Sequence, residues 1–324
     1  MTAARTDAGR PARGRTVVAL DTLLDDVALE AVTAEDLGWR LRPWDGSETD
    51  LESADAVVHV RTRIDGRLIG RLKSCTVIGR FGTGLDSVDC QAAAAAGISV
   101  VSVRDYCTAE LAAHTVGLAL TLFLRLGPRH DNAAGQTLSW NRYIAANRRS
   151  GDTTALVIGY GAIGRRVTDA LTGLGVRTMV TTRRAGAASD PRVEAVDLGT
   201  GLARADIIFI QRELSAATHG FFGAELLEHV RPHAILINTA RKDLIDQAAV
   251  AAALRRGRLG GIGLDAKLNE DDPIAALLDH PRVLVTPHIG WYSERSLNEL
   301  RRRTVANTIS AYSSPLIRRQ EQEI

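Results

Sequence analysis

A glycine-rich turn stands between an apolar run and a helical pattern near the middle of the chain. The apolar run is TALVI, residues 154–158, and the turn follows it at once as Gly159, Tyr160, Gly161, Ala162, Ile163 and Gly164. In a dinucleotide-binding unit the first glycine makes the tight turn, the second lets the backbone approach the pyrophosphate, and the third allows close packing of helix on strand. The pattern predicts a nucleotide site at the start of this helix. A purely structural tight turn is the alternative.

The residues that follow the next predicted strand indicate which dinucleotide is bound. NAD sites carry an aspartate or glutamate about 20 residues beyond the glycines, where it binds the ribose 2′-hydroxyl. This chain has no carboxylate there and reads Thr181, Thr182, Arg183 and Arg184. Because guanidinium groups form charge-assisted bonds with phosphate oxygens, we expect NADP(H) to be favoured over NAD(H). Two solvated surface arginines are the alternative.

Short β-branched runs alternate with helical stretches on both sides of this motif. Such alternation predicts two doubly wound α/β domains, the second with a six-stranded parallel sheet. The first domain is discontinuous and takes residues 1–107 and 288–324, of which 1–14 are expected to be disordered. The second takes residues 108–287 and begins with one long helix over 108–126. Residues 127–151 are predicted to form a short helix and loop.

Charge and cysteine content exclude several classes of protein. Forty Lys and Arg residues against 38 Asp and Glu residues give a net charge of +2, too balanced for a chain that covers nucleic acid. No run reaches the roughly 18 apolar residues of a membrane span. Cys75, Cys90 and Cys107 form no CxxC pair, so they predict reduced thiols and a cytoplasmic location. The Arg-rich residues 1–14 leave a transit peptide as the alternative to a frayed tail.

Three polar residues follow predicted strands at the sheet edge where open α/β sheets bind ligands. They are Arg241 in Asn238-Thr-Ala-Arg241, Glu270 five residues after Gly263-Leu-Asp265, and His288 in Thr286-Pro-His288. Two earlier blocks accompany them, Arg80-Phe-Gly82-Thr-Gly84-Leu-Asp86-Ser-Val-Asp89 and Thr108-Ala-Glu110. In this order and spacing the motifs resemble the D-isomer-specific 2-hydroxyacid dehydrogenase family over about residues 57–312.

The resemblance implies a fold, an assembly and a set of binding residues. It implies a Rossmann nucleotide-binding domain inserted in a flavodoxin-like substrate domain, and a homodimer formed through the nucleotide domain. Asp265 is expected to hold the nicotinamide carboxamide, and the backbone N–H groups of Gly82, Thr83 and Gly84 to receive the substrate carboxylate. Further cofactor-binding residues are expected at Thr108, Thr239, Ala240 and Gly290.

The three polar residues suit hydride transfer to a 2-oxo acid. Reduction of a ketone puts negative charge on oxygen, so a proton donor and a fixed cation must face the carbonyl. His288 is expected to supply the proton, and Glu270, bonded to it, to stabilise the imidazolium. Arg241 is expected to bind the carbonyl and carboxylate oxygens. A capping arginine, a surface glutamate and a core histidine are the alternatives.

Two local features narrow the resemblance. Residues 287–294, with Trp291 three positions after His288, resemble the branch that includes the C-terminal-binding protein corepressors, and Arg80 has a counterpart near the substrate there. Trp291 is therefore expected to contact a bulky or aromatic substrate group. A packing residue is the alternative. Arg61-Thr-Arg63 resembles the arginine pair of some phosphoglycerate dehydrogenases, so Arg61 binds a second anionic group or ends a strand in solvent.

Other positions depart from the family pattern. The glycine usual after the catalytic arginine is replaced by Lys242, followed by Asp243. The proline common after the fourth strand of the nucleotide domain is replaced by Glu213. The usual Glu-Pro near the catalytic glutamate reads Glu270-Asp271-Asp272-Pro273. Because of these changes, the substrate of any particular family member is a weaker guide to the substrate of this chain.

The sequence as a whole predicts an NADPH-dependent reductase of a 2-oxo acid, acting also as a D-2-hydroxy acid dehydrogenase. A dinucleotide-sensing interaction protein like the corepressors is one alternative, and a reductase of an imine or an oxo-phosphonate is another. His114 is predicted to be a packed core residue of the long helix. No histidines pair at metal-ligand spacing, so no metal is expected.

Overall fold

The computed structural model describes residues 14–126, 149–182 and 190–313, and these fall into two compact units. One unit contains residues 14–106 and 294–313, and the other contains the described residues from Cys107 to Ser293. The predicted disorder over 1–14 and the predicted short helix and loop over 127–151 lie outside the described residues except for residues 14 and 149–151, and Arg183 and Arg184 lie outside them too. Within the described ranges, no helix is long and apolar enough to cross a membrane.

The discontinuous unit is built on a five-stranded parallel sheet. Its strands in chain order are β1 Thr16–Ala19, β2 Arg40–Pro43, β3 Ala56–His59, β4 Val77–Arg80 and β5 Ser99–Val101. The spatial order is β2-β1-β3-β4-β5, which is the flavodoxin-like order. The apolar run Ala56–Val58 is fully buried, as expected for a parallel strand covered on both faces. Flavodoxin-like topology in this unit agrees with the fold that the sequence predicts.

Five helices of the described ranges cover this sheet. They are α1 Ala28–Asp36, α2 Glu48–Ser53, α3 Gly66–Arg71, α4 Cys90–Ala95 and the long C-terminal helix, Glu294–Ser313. Three of the short helices begin at a residue whose side chain accepts a hydrogen bond from the first turn, namely Ser47, Asp65 and Asp89. The C-terminal helix packs on β3, β4 and β5, and it also contacts α1.

The second unit contains a seven-stranded parallel sheet. Its strands are β6 Thr154–Ile158, β7 Arg177–Thr181, β8 Val193–Ala195, β9 Ile207–Ile210, β10 Ile235–Asn238, β11 Gly261–Asp265 and β12 Val283–Thr286. The spatial order is β12-β11-β10-β9-β6-β7-β8, so the direction of winding reverses between β6 and β9. This is the doubly wound Rossmann topology with one added strand, and it confirms the predicted α/β fold.

The seventh strand is the difference from the six predicted. The extra strand, β8, is the three-residue edge segment Val-Glu-Ala, and two of its three residues are exposed. A strand this short and this polar has no apolar alternation for the sequence to reveal. It forms because β7 offers an open edge, with Thr178, Met179 and Val180 paired to it.

Helices cover both faces of the seven-stranded sheet. The helix predicted over residues 108–126 ends at Phe123. The helices among the described residues of this unit are α5 Thr108–Phe123, α6 Ala162–Gly173, α7 Leu198–Arg204, α8 Ala224–His229 and α9 Gln247–Arg255. We label the C-terminal helix of the first unit α10. One core cluster packs the buried face of α5 and α6 against β6 and β9. The other packs the opposite face of the same sheet, with Phe222 and Leu202 fully buried.

Candidate active site

The predicted dinucleotide turn connects β6 to α6 at the point where the winding of the sheet reverses. Ligands of open α/β sheets bind outside the carboxyl ends of the strands at such a point. Gly159 has a φ of 105°, a conformation that favours glycine, and a Cβ there would collide with the carbonyl oxygen of Gln211. A Cβ on Gly164 would collide with the carbonyl oxygen of Gly159. Two of the three glycines are therefore required by close backbone packing.

Gly161 is different because a Cβ there would meet no described atom within 4 Å. It is the residue before α6, and no described side chain accepts from the N–H groups of the first turn. Open space beside a glycine and uncapped N–H groups at the start of a 12-residue helix suit a pyrophosphate. The residues present fit a nicotinamide dinucleotide at this position.

Two glycine substitutions separate the structural duty of this turn from its binding duty. We expect Gly161→Ala to leave the melting temperature within about 2 °C, because its φ of −80° suits any residue, and to raise the dinucleotide Kd at least about tenfold. Gly159→Ala is expected to destabilise the chain itself by about 1–3 kcal/mol. Differential scanning fluorimetry and dinucleotide titration of both variants measure this. Unchanged affinity in Gly161→Ala would place the pyrophosphate elsewhere.

The second residue of the turn, Tyr160, ties it to the segment that follows β7. Its hydroxyl donates to Asp190 Oδ2 at 2.8 Å, and Asp190 also accepts from the guanidinium of Arg192. Burial and the bond to Asp190 raise the pKa of Tyr160 to about 12, while the bonds from Arg192 lower the pKa of Asp190 well below its usual range. Tyr160 therefore stays protonated and donates at any physiological pH. The sequence gives no sign of this connection.

Thr182, half-buried, directly follows β7. It is the last described residue before Arg183 and Arg184, so the structure describes the beginning of the proposed 2′-phosphate site and not its two guanidinium groups. Asp190 resumes the described chain on the far side of that segment and is bonded to Tyr160. Asp190 therefore lies at hydrogen-bond distance from the dinucleotide turn.

Asp265, at the end of β11, organises the next part of the site. It is buried, and its two carboxylate oxygens accept three hydrogen bonds from the last residue of β12 and from the segment that follows it. Oδ1 accepts from the Thr286 hydroxyl at 2.6 Å and from the Ile289 N–H at 2.9 Å, and Oδ2 accepts from the Gly290 N–H at 2.8 Å. Contact with a nicotinamide carboxamide stays a prediction, and in the structure Asp265 holds the segment that contains His288.

His288 itself has an unusual backbone conformation. Its φ is 61°, in the left-handed region, and its N–H donates to the carbonyl oxygen of Thr286 at 2.9 Å. The indole N–H of Trp291 donates to the carbonyl oxygen of His288 at 3.0 Å. The imidazole Nδ1 lies 3.3 Å from the carbonyl oxygen of Asp265. Because a carbonyl only accepts, Nδ1 carries the hydrogen, and Nε2 is the nitrogen that can exchange a proton.

His114, which the sequence predicts to be a packed core residue, is a member of this network. Its Nε2 lies 2.9 Å from the Thr286 hydroxyl oxygen and 3.7 Å from Asp265 Oδ1. Since the single hydroxyl hydrogen of Thr286 goes to Asp265, His114 must donate from Nε2. Gly290 lets the segment approach this pair, because a Cβ there would lie 2.8 Å from Asp265 Oδ2 and 2.9 Å from His114 Cδ2.

Arg241 lies in a turn at the end of β10, on the strand next to β11. Buried Asn238 shapes the turn, since its Nδ2 donates to the carbonyl oxygen of Arg241 at 2.8 Å and its Oδ1 accepts from the Ala240 N–H. The guanidinium of Arg241 donates to the carbonyl oxygen of Ala240 at 2.9 Å. Arg241 and His288 therefore follow β10 and β12, and Asp265 ends β11 between them, so all three lie at the carboxyl ends of adjacent strands.

Glu270 lies in an exposed turn after β11. Among the described residues, no hydrogen bond or ion pair joins it to His288, whose Nδ1 faces the backbone of Asp265 instead. The same turn contains Asp272, which bonds Lys242 at 2.6 Å and the Gln247 amide at 3.1 Å. Burial is the largest single influence and on its own would raise the pKa of Asp272, but the bonds from Lys242, Asn269 and Gln247 and the charge of Lys242 together lower the pKa below its usual value. A partnership of Glu270 with His288 stays a prediction.

Two further predicted cofactor residues lie beside the same strands. The hydroxyl of Thr239, which is buried, is 2.7 Å from the hydroxyl of Thr115 and accepts from the Gln211 amide at 3.0 Å. Thr239 therefore connects α5, β9 and β10. Thr108 is half-buried at the first position of α5. The replacement residue Glu213 is exposed, in the stretch that follows β9.

The predicted substrate residues of the five-stranded unit gather at the carboxyl ends of β3 and β4. Arg80, the last residue of β4, is in register with His59, whose burial, together with the charge of Arg80, lowers its pKa to about 4. No described residue accepts from the N–H groups of Gly82, Thr83 or Gly84, and Gly82 has a φ of 127°. Arg61 is exposed after β3, and its own N–H donates to Asp21 at 2.7 Å.

Across residues 14–126, 149–182 and 190–313, no group of three or more His, Cys, Asp or Glu residues is placed to hold a metal ion. Trp291 makes an edge-to-face contact with Tyr292 at 5.6 Å between ring centroids, and Tyr292 is largely exposed. These two aromatic rings adjoin His288 in the chain.

Comparisons with known proteins bear on these arrangements. A family model described as the NAD-binding domain of D-isomer-specific 2-hydroxyacid dehydrogenases matches residues 116–290. A glycerate dehydrogenase of Methylorubrum extorquens is 32% identical over 273 residues, which cover 79% of this chain and 82% of that protein. A D-3-phosphoglycerate dehydrogenase of Mycobacterium tuberculosis is 29% identical over 83% of this chain, which spans about half (52%) of that relative. The D-lactate dehydrogenase of Aquifex aeolicus, solved with NAD and lactic acid, has a TM-score of 0.83 at 22% identity, covering 95% of this chain and 98% of that one.

Proposed function

The chain belongs to the D-isomer-specific 2-hydroxyacid dehydrogenase family, and from this premise we propose that it reduces a 2-oxo acid to a D-2-hydroxy acid with NADPH. Membership makes it an oxidoreductase of 2-hydroxy acids that uses a nicotinamide dinucleotide. The observation that carries the finer proposal is the edge formed by β10, β11 and β12. There Arg241, Asp265 and His288 lie at the carboxyl ends of neighbouring strands, and Asp265 bonds the segment that presents His288.

The proposed mechanism assigns one task to each side chain. A bound reduced nicotinamide supplies the hydride to the carbonyl carbon of the substrate. Arg241 binds the carbonyl and carboxylate oxygens and stabilises the negative charge that develops on oxygen. His288 gives that oxygen a proton from Nε2, because Nδ1 is committed to the backbone of Asp265. Glu270 stabilises the imidazolium when His288 is protonated.

We propose that the nucleotide-binding domain predicted over residues 108–287 corresponds to the compact unit over residues 107–293. The family model over residues 116–290, described as NAD-binding, supports this assignment. The unit that contains Arg80 and Gly82–Gly84 then binds the substrate carboxylate through N–H groups that have no acceptor among the described residues. Homodimer formation through the nucleotide-binding domain stays part of the proposal, on the family resemblance alone.

The preference for NADPH rests on Thr182, Arg183 and Arg184. We expect the double variant Arg183→Gln/Arg184→Gln to raise the Kd for NADPH about 10–100-fold and to change the Kd for NADH less than about twofold, because only NADPH carries the 2′-phosphate. Arg255→Gln/Arg256→Gln replaces two adjacent exposed arginines at the end of α9 and is the matched control. Equal loss for both dinucleotides would assign the two arginines to another part of the cofactor.

The substrate class is proposed from the charge at the edge of the five-stranded sheet. Arg61 is exposed after β3 and Arg80 ends β4, so two guanidiniums accompany the N–H groups of Gly82–Gly84. A relative of this chain is a D-3-phosphoglycerate dehydrogenase, and a phosphorylated 2-oxo acid would use such an extra cation. Trp291 instead favours an aromatic substituent. The panel described next separates the two.

The proposal is tested by binding followed by turnover. NADPH and NADH are titrated by fluorescence, and NADPH oxidation is then followed with simple, aromatic and phosphorylated 2-oxo acids, an imine-forming mixture of 2-oxo acid and amine, and an oxo-phosphonate. We expect tighter binding of NADPH and turnover of at least one 2-oxo acid. Tight binding with no turnover on any member would favour the dinucleotide-sensing alternative. Turnover only with the imine or the oxo-phosphonate would mean that this compound, and not a 2-oxo acid, accepts the hydride.

A further inference from the structure

Two of the departures from the family pattern contact each other. Lys242 replaces the usual glycine after Arg241, and Asp272 lies in the residues between Glu270 and Pro273 that depart from the usual Glu-Pro. The Lys242 ammonium donates to Asp272 Oδ2 at 2.6 Å. Both side chains are mostly buried, with 22% and 14% of their surface exposed. We propose that the Lys242–Asp272 ion pair is a clip that fastens the turn of Arg241 to the turn of Glu270 and so positions both side chains for reaction.

On the glutamate side, Asp272 closes the turn in which Glu270 lies. Its Oδ2 accepts from the Asn269 N–H at 2.7 Å, and its own N–H donates to the carbonyl oxygen of Asn269 at 3.1 Å. Its Oδ1 accepts from the amide of Gln247, the first residue of α9. The position of the Asp272 carboxylate therefore fixes the turn over residues 269–272.

On the arginine side, Lys242 follows Arg241 directly and begins a single 3₁₀ turn, Lys242–Leu244. The side chain of Asn238 donates to the carbonyl oxygen of Arg241, and the ammonium of the next residue, Lys242, pairs with Asp272. A glycine here would offer no side chain to reach the second turn. The lysine and the aspartate thus supply a link between two loops that backbone bonds leave separate.

The ion pair also explains how a lysine is tolerated beside a substrate-binding arginine. An unpaired ammonium next to Arg241 would repel its guanidinium and would attract the anionic substrate to the wrong place. Asp272 neutralises that charge at hydrogen-bond distance. The clip is therefore a positioning device, and neither residue is assigned a contact with substrate.

The inference rests on the proposed reduction of a 2-oxo acid, and the test keeps the two apart by using two readouts. Lys242→Met removes the charge and keeps the length of the side chain, and Asp272→Asn removes the charge and keeps an oxygen that can close the turn. We expect each to lower kcat/KM about tenfold, because a misplacement of about 1 Å at a catalytic group costs up to about 100-fold. The Kd for NADPH should change less than about twofold, since neither residue lies at the dinucleotide turn.

The double variant Lys242→Met/Asp272→Asn should lose no more kcat/KM than the worse single variant, because each single substitution already removes the ion pair. Lys242→Arg should recover most of the activity. Arg231→Met is the matched control: it removes the cation from a partly buried ion pair with Asp206 in the same unit and should leave kcat/KM unchanged. Activity of both single variants within twofold of the wild type would overturn the proposal.

The sign of the Asp272→Asn effect separates a clip from direct binding of substrate by Lys242. A clip predicts that both single variants weaken the reaction. If Lys242 instead bound the substrate directly, freeing its ammonium in Asp272→Asn would lower KM, and that result would overturn the proposal.

Amide hydrogen exchange provides the readout that needs no turnover. In Lys242→Met we expect faster exchange across residues 269–275, and in Asp272→Asn faster exchange across residues 242–245, each on the opposite side of the clip. If exchange rises on the opposite side of the clip but the protein reduces no 2-oxo acid, the clip would be supported and the proposed reaction would be rejected. Exchange unchanged on the opposite side in both variants would overturn the clip.

Discussion

Replacing His288 with asparagine is expected to lower kcat/KM for the 2-oxo acid by about 10²–10⁴-fold, the usual contribution of general acid catalysis, and to leave the dinucleotide Kd within about twofold. Asparagine is chosen because His288 has a φ of 61°, and asparagine tolerates the left-handed region better than glutamine. The variant keeps the backbone that Asp265 and Trp291 hold, and it removes the only ring nitrogen free to deliver a proton. Single-turnover measurements separate this loss from slow product release.

A matched control is available in the same unit. The backbone of His233 is also in the left-handed region, with a φ of 73°. His233 precedes β10, so it lies at the amino ends of the strands, whereas His288 lies at their carboxyl ends. His233→Asn makes the same chemical change on the same backbone conformation and should leave kcat/KM unchanged. Loss of activity in both variants would mean that backbone strain, and not proton transfer, explains the effect. Full activity in His288→Asn would remove His288 from the mechanism.

The sequence predicts those parts of the site whose physical cause lies within a few neighbouring residues of the chain. The dinucleotide turn is readable because each glycine has a steric reason within a few residues, as with the approach of Gly164 to Gly159. The α/β alternation is readable because buried parallel strands such as Ile207–Ile210 are continuous apolar runs. Family resemblance then supplies Arg241, Glu270 and His288 as candidates at the ends of strands.

The parts that the sequence could not predict depend on pairs of residues far apart in the chain. His114 reads as one polar residue in an apolar helix, and only the structure brings it to Thr286, 172 positions later. Lys242 and Asp272 read as two unrelated departures, although they form one ion pair. A single sequence contains no information about which distant side chains meet, so the bonds of Asp265 and the link from Tyr160 to Asp190 were also missed.

The pair Glu30–Arg301 gives the largest expected effect on stability. Arg301 of α10 donates to both carboxylate oxygens of Glu30 on α1, at 2.8 and 2.6 Å, and both side chains are more than nine-tenths buried. Hydrogen bonding to Glu30 raises the pKa of Arg301 above its usual value, so the guanidinium stays charged. Arg301→Met leaves a buried carboxylate without its cation, and we expect the five-stranded unit to lose about 3–5 kcal/mol of unfolding free energy. Native-state hydrogen exchange of the buried strand β3 measures that loss within this unit.

The same helix carries the control that distinguishes burial from charge. Arg303 pairs with Glu299 one turn away at 2.8 Å, but 40% and 37% of these side chains are exposed, so Arg303→Met should cost only a few tenths of a kcal/mol, about the usual value of such a pair. The double variant Glu30→Leu/Arg301→Met removes both buried charges and should recover most of the stability, because two apolar side chains of similar volume need no desolvated ions. If the double variant stayed as unstable as Arg301→Met, the loss would come from packing of the arginine stem and not from the unpaired carboxylate. If Arg301→Met and Arg303→Met were equally mild, α10 would be held to α1 by its apolar contacts alone.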